Sequence, residues 1–450
     1  MAANAHWFKT FKNVTEFKSP VQLAVKSGAV PQSMRGTYYK CGPGVFHEHG
    51  STVTHPFDGD GMVSAYRFEN GRATYQARLV DTMHRQVEQK RGRRVYSGAF
   101  GTPPSMRALK NTANTNVIEW GGVLLVFSES GAPYVMDAAT LETLGPLAPF
   151  QEGMPGKTSS PHVDAVLRKL HLFGDVVGAH PKIIGDRLGM RRMLVFYTLE
   201  YAQDATTITF FEMDAELNIK QKTPYRVPGF LYLHDFVVTP THYVFFQHAL
   251  RLNMANMHLG IVHCLESTGA QGVAHAVARG CACEGASATA PIEPGFVTHH
   301  VNVNGAQPGF LSIMYPDVIN FQDMASSKCC LMRTTWDCKS AKLVQEKVYS
   351  DSFIEFPACN KSGLFASLSA SCLGRLSMNG QLLESWEGGT SAFLGEPVLN
   401  NQGHLMTIVH DSEKTSSTLA IFDADNLSHG PIAELWLPEH VPTTLHGCWA

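Results

Sequence analysis

Val117-Ile118-Glu119-Trp120-Gly121-Gly122-Val123-Leu124-Leu125-Val126-Phe127 is the stretch from which the fold can be read. Two apolar, β-branched and aromatic runs flank a Gly-Gly pair, and paired glycines accept the left-handed backbone of a two-residue hairpin turn. Comparable runs occupy 243–247, 405–410 and 418–422, and long amphipathic helices are scarce. Many short strands separated by turns predict an all-β sandwich, barrel or propeller. No linker divides the chain, so one domain over residues 1–450 is expected. The small, Ala-rich, Pro-bounded segment 282–294 reads as a long surface loop.

Composition narrows the function classes. The 450 residues are 44% hydrophobic, enough for a sizeable core, and carry a net charge of -3. That charge offers no basic field for nucleic acid, and Lys90-Arg91-Gly92-Arg93-Arg94 reads as a solvated loop. Residues 1–20 lack the apolar core of a secretory signal and contain Lys9, Lys12 and Lys18. No apolar stretch reaches the roughly twenty residues of a spanning helix. Among the ten cysteines, Cys281-Ala282-Cys283 and Cys329-Cys330 lack the paired spacing of a structural zinc site. They read as free thiols of a reducing compartment, which predicts the cytoplasm, or a plastid after removal of a transit peptide.

Three histidines and three glutamates stand in recognisable local settings. The histidines read Leu233-His234-Asp235-Phe236, Thr298-His299-His300-Val301-Asn302 and Leu445-His446-Gly447; the glutamates read Ser128-Glu129-Ser130-Gly131, Ile354-Glu355-Phe356-Pro357 and Gly395-Glu396-Pro397-Val398. A neutral imidazole held through its second nitrogen by a carboxylate is how proteins orient a metal ligand, so three of each suggest a metal centre, with iron the first candidate. Ligands so far apart in sequence must converge from separate strands. A propeller achieves this, because the innermost strand of each blade lines one axis.

Together with Cys41-Gly42-Pro43-Gly44 and His55-Pro56-Phe57-Asp58-Gly59-Asp60-Gly61-Met62, these segments give the chain a resemblance, from about Gly36 to its last residues, to the carotenoid cleavage oxygenases. That family includes apocarotenoid oxygenases, plant carotenoid dioxygenases, stilbene cleavers and a retinoid isomerase. The resemblance implies a seven-bladed β-propeller with Fe(II) on its axis and a cap of loops and short helices over a substrate tunnel. It also implies that His234, His299 and His446 are ligands, backed by Glu129, Glu355 and Glu396. The Asp58-Gly59-Asp60-Gly61 run lacks calcium-loop spacing and reads as a tight structural turn.

The family's iron has a fourth histidine, in an Ala-His-Pro segment, and here the sequence departs from the pattern. An ungapped register from Glu129 to Phe173-Gly174 places Ser160, in Ser159-Ser160-Pro161-His162, at that position. Three readings compete. His162 could substitute, although two residues along a strand is about 6–7 Å. His180, in Ala179-His180-Pro181, has the motif's wording but falls after the matching strand and reads as a loop histidine. The preferred reading is a three-histidine iron with Ser160, water or nothing in the fourth position.

The function expected from the resemblance is oxidative cleavage of one C=C bond of a carotenoid or apocarotenoid by O2, giving carbonyl products. Stilbene cleavage and polyene isomerisation stay open within the family, as does a noncatalytic carotenoid-binding or scaffold propeller. A lipid-soluble substrate calls for peripheral membrane contact. Leu250, Leu252, Met254, Met257 and Leu259, with Arg251 beside them, form the candidate patch; packing inside the cap is the alternative.

Overall fold

The computed structural model describes residues 11–104, 108–129, 131–147, 177–185, 191–279, 287–301, 310–315, 328–337, 342–349, 354–360, 363–442 and 444–450. Among these residues the strands form seven sheets of four to six strands and two two-stranded ribbons. The seven larger sheets are the blades of a propeller. Their innermost strands, from blade 1 to blade 7, are Gly447–Trp449, Asn116–Trp120, Lys182–Gly185, Val237–Val238, Phe296–Val301, Glu355–Asn360, and Ala392–Leu394 continued by Val398–Leu399.

The Gly-Gly hairpin forms as its sequence predicts. Trp120 pairs with Val123, and Gly121 and Gly122 both have positive φ, 62° and 83°. That backbone matches the twist of the flanking strands. The following run is apolar at every position because a propeller blade is covered on both faces. Val123, Leu125 and Phe127 pack toward blade 3, whereas Leu124 and Val126 pack toward blade 1.

The same division runs around the molecule. Among the described residues seven buried apolar clusters occur, each between two neighbouring blades. Seven interfaces for seven blades means that the ring is closed. The seam lies between blades 7 and 1. There Ala24–Gly28 adds the outermost strand of blade 7 and Phe17–Gln22 that of blade 1. From the other end of the chain, Gly447–Trp449 pairs with Gly36–Val45, Trp449 opposite Tyr38.

Two expectations meet the structure here. The segment read as a surface loop over 282–294 contains the strand Ser287–Ile292, the outermost strand of blade 4. Its small side chains suit an exposed edge, and pairing with Gly272–Ala278 satisfies its backbone. The aspartates of the Gly-rich run are structural, as expected. Asp58 accepts from the Phe100 and Thr102 amides and from Thr102 Oγ1. Asp60 is buried against Arg85 and Lys110.

Outside the blade sheets are the helix Met83–Arg91, capped by Thr82 at its start and left-handed Gly92 at its end, and the 3-10 turns Met254–Leu259 and Ile261–Cys264. Cys41, Cys264, Cys329, Cys330, Cys359, Cys372 and Cys448 are not joined in disulfides. Among the described residues no helix is long and apolar enough to cross a membrane.

Gly61 shows how closely the run near Asp60 packs, since a Cβ there would stand 1.9 Å from the Ala113 carbonyl oxygen. Backbone cannot move aside as a flexible side chain can. Gly61→Ala should therefore destabilise the fold by about 1–3 kcal/mol, read as a lower urea midpoint. An unchanged midpoint would contradict this packing.

Candidate metal centre

Four imidazoles meet on the propeller axis, one each from blades 3, 4, 5 and 1. His180 and His234 lie in the segments that lead into the innermost strands of blades 3 and 4, His299 lies within that of blade 5, and His446 directly precedes that of blade 1. His180 Nε2 is 3.0 Å from His234 Nε2. Ring centroids are 4.5 Å apart for His180–His446, 5.2 Å for His180–His299, 5.4 Å for His234–His299 and 5.1 Å for His299–His446. The donor atoms of His180, His299 and His446 all lie within 4.8 Å of one another.

His180 is thus not the loop histidine that the sequence register indicated. It is buried, with the preceding carbonyl, Ala179 O, accepting from Asn116 Nδ2 of blade 2 at 3.0 Å. The register counted residues from Glu129 without a gap, but an axial position is fixed by where the chain enters an innermost strand. The Ala-His-Pro wording was the better guide. The preferred three-histidine reading gives way to four gathered imidazoles. Ser160 and His162 lie outside the described residues.

The three remaining blades each contribute one carboxylate. Glu129 contacts His234 Nδ1. Glu355 accepts from His299 Nδ1 at 2.7 Å, and Glu396 accepts from His446 Nδ1 at 2.8 Å. Among the described residues His180 alone in the cluster has no carboxylate hydrogen-bonded to its ring. Each carboxylate is itself held. Tyr232 OH donates to Glu129 at 2.9 Å; Tyr315 OH and Thr298 Oγ1 donate to Glu355 at 2.6 and 3.0 Å. Lys40 Nζ and the Gly447 amide donate to Glu396 at 3.1 and 3.0 Å. Sequence reading had not singled out Tyr232, Tyr315 or Lys40, since a hydroxyl or an ammonium behind a carboxylate leaves no local pattern.

The electrostatics keep the three carboxylates ionised. Burial pushes the Glu396 carboxyl up, but Lys40 and His446 outweigh it and hold the group at about 2. Burial likewise opposes ionisation of Glu129 and Glu355, and their histidine partners reverse the effect, so both fall below the usual carboxylate range. Burial, with His234, His446 and His299 close by, lowers His180 well below an ordinary imidazole. It is a neutral nitrogen donor.

These residues fit a metal ion. With Nδ1–H committed to a carboxylate, the Nε2 lone pair of each supported ring faces the axis. The buried Nε2 of His299 has no hydrogen-bond partner, an expensive state unless something is coordinated there. At a typical metal–imidazole distance of about 2.1 Å, two donors at a right angle stand about 3.0 Å apart, the separation of His180 from His234. An all-nitrogen set suits iron, zinc, copper or nickel.

The candidate membrane patch divides. Leu252, Met254 and Leu259 are exposed, on the ribbon Leu250–Leu252 and the turn after it. Leu250 instead packs against the cluster between blades 5 and 6. The Met257 side chain lies outside the described residues.

Residues 10–450 match the family model described as retinal pigment epithelial membrane protein. The chain is 27% identical to the apocarotenoid-15,15'-oxygenase of Synechocystis, covering 94% of this chain and 92% of that protein. It is 34% identical to the chloroplastic carotenoid cleavage dioxygenase 7 of Oryza sativa subsp. japonica, covering 54% of this chain and 45% of that one. In structure it resembles the crystal structure of cobalt-substituted Synechocystis apocarotenoid oxygenase, with a TM-score of 0.86 at 24% identity over 99% of this chain and 98% of that one. That last likeness is one of fold. The sequence motifs, the closed ring of seven blades and the family match together place the chain in the retinal pigment epithelial membrane protein family, that of the carotenoid cleavage oxygenases.

Proposed function

We propose that this chain is a nonheme Fe(II) dioxygenase that cleaves one C=C bond of a carotenoid or apocarotenoid with O2, giving two carbonyl products, from a single propeller domain over residues 1–450. The observation that carries the reading is the convergence of four imidazoles with three carboxylates behind them. His180, His234, His299 and His446 would hold the metal through Nε2. Bound there, Fe(II) would supply O2 binding and the electrons that activate it. A relative has been solved in a cobalt-substituted form, and a relative matched over nearly its whole length is an apocarotenoid oxygenase; both support the assignment.

The chain's own residues then have limited tasks. Glu129, Glu355 and Glu396 keep three rings oriented and their Nδ1 atoms protonated. Burial, reinforced by Glu129 and Glu355, raises the hydroxyls of Tyr232 and Tyr315, so both stay protonated and donate. None of these groups is required as an acid, base or nucleophile, because the bound metal and O2 would supply the oxidative chemistry. The exposed Leu252, Met254 and Leu259 would dip into a lipid surface from which the polyene is drawn, with Arg251 at the head groups. A compartment in the cytoplasm or a plastid suits this reading, and one relative is chloroplastic.

Three outcomes are expected. His180→Ala should lose bound iron as completely as His299→Ala or His446→Ala, while Glu355→Gln should weaken iron binding by about ten- to a hundredfold. Metal analysis of the purified variants decides this, and full iron content in His180→Ala would sink the four-imidazole reading. With Fe(II) and an apocarotenal under ¹⁸O₂, each of the two carbonyl products should gain one labelled oxygen by mass spectrometry. Absence of cleavage products across a panel of carotenoids and apocarotenoids would overturn the substrate class. Replacing Leu252, Met254 and Leu259 together by serine should reduce cosedimentation with phosphatidylcholine liposomes by about tenfold or more; undiminished cosedimentation would remove the patch.

A further inference from the structure

Innermost strands of adjacent blades belong to separate sheets, so no ladder of hydrogen bonds sets the distance between one imidazole and the next. Something else must fix that distance, because a metal site loses affinity when its donors stray by more than about 0.5 Å. One carboxylate lies where this is needed. Asp235 directly follows His234 in blade 4, and its side chain is almost wholly buried, with 1% exposure. It receives Lys182 Nζ at 2.6 Å on Oδ1 and at 2.9 Å on Oδ2. It also accepts the His300 amide at 2.7 Å and its neighbouring Phe236 amide at 2.8 Å. Lys182 stands two residues after His180, and His300 directly after His299.

We propose that the Lys182–Asp235 pair is a positioning device for the metal centre, an inference that rests on the four-imidazole reading. The carboxylate joins blades 3, 4 and 5 at the points where each delivers its imidazole, and so sets the mutual placement of His180, His234 and His299. Neither residue touches the axis. The pair is not explained by stability, since a buried ion pair roughly breaks even against apolar groups of similar volume. Its worth lies in geometry. A second buried ion pair provides a comparison. Arg279 donates to Glu212 at 2.8 and 2.9 Å, joining blades 3 and 4 two strands further out from Lys182. That pair holds the blades together without reaching a histidine segment.

The test titrates metal-free protein with Co(II), following affinity and the visible absorption bands of the bound ion, alongside urea denaturation. The double variant Lys182→Met/Asp235→Asn removes both charges, so it leaves no unpaired buried ion. It should bind Co(II) about ten- to a hundredfold more weakly than the wild-type chain, with altered bands. Glu212→Gln should lower the urea midpoint and leave Co(II) affinity and spectrum unchanged. If the double variant fails to fold, Asp235→Asn alone decides, because it keeps one oxygen for the His300 amide while losing the charge and the acceptor that faces the Phe236 amide; weaker Co(II) binding is again expected. Wild-type affinity and spectrum in the folded variant would overturn the proposal. So would an affinity loss in Glu212→Gln equal to that of the double variant. Failure of the wild-type chain to bind Co(II) at all would instead overturn the metal reading beneath it.

Discussion

The hydrogen bond from a histidine Nδ1 to a buried carboxylate is the interaction on which the rest of this site depends. It fixes the tautomer and the direction of the ring in one step, leaving Nε2 as a lone pair aimed at the axis. Every other feature serves to keep that bond in place. His299 and Glu355 come from blades 5 and 6, and His446 and Glu396 from blades 1 and 7, so each bond also crosses a blade boundary. The ring of blades and the ring of ligands are therefore coupled. His446 sits at the seam, where the closing strand Gly447–Trp449 is laid against Gly36–Val45.

Charge supports the same arrangement. Three carboxylates gathered around an axis would repel one another if left alone. Lys40 is fully buried and bonds both Glu396 and the Leu445 carbonyl, so one ammonium offsets one of them. A dication on the axis would balance the other two. The centre is thus built to be near neutral when loaded, which favours a double positive charge over a single one. Tyr232 and Tyr315 add hydrogen bonds without adding charge.

Much of this could be read from the chain before its structure. The Gly121-Gly122 hairpin and its apolar strands carry a local signal of turn and period, and they fold as that signal predicts. Glu129, Glu355 and Glu396 each stand against one of the histidines that the motifs singled out. His180 was misread for a physical reason. Residue counting along the chain says nothing of where a segment enters the axis, and only the Ala-His-Pro wording pointed to it. Lys40, Tyr315 and the pairing of Lys182 with Asp235 were not legible at all, since each contact is made to a partner distant in sequence. The apolar patch was half legible: hydropathy marks Leu250 and Leu252 alike, but only packing separates the half-buried one from the exposed one.

The central claim is that four imidazoles from four blades, His180 among them, hold one iron ion. Anomalous diffraction at the iron edge from crystals of the Fe(II)-loaded protein tests it most directly. The account predicts a single axial peak within about 2.0–2.3 Å of the Nε2 atoms of His180, His234, His299 and His446. A peak bonded to three of them with the His180 ring turned away, or a peak elsewhere in the molecule, would contradict it.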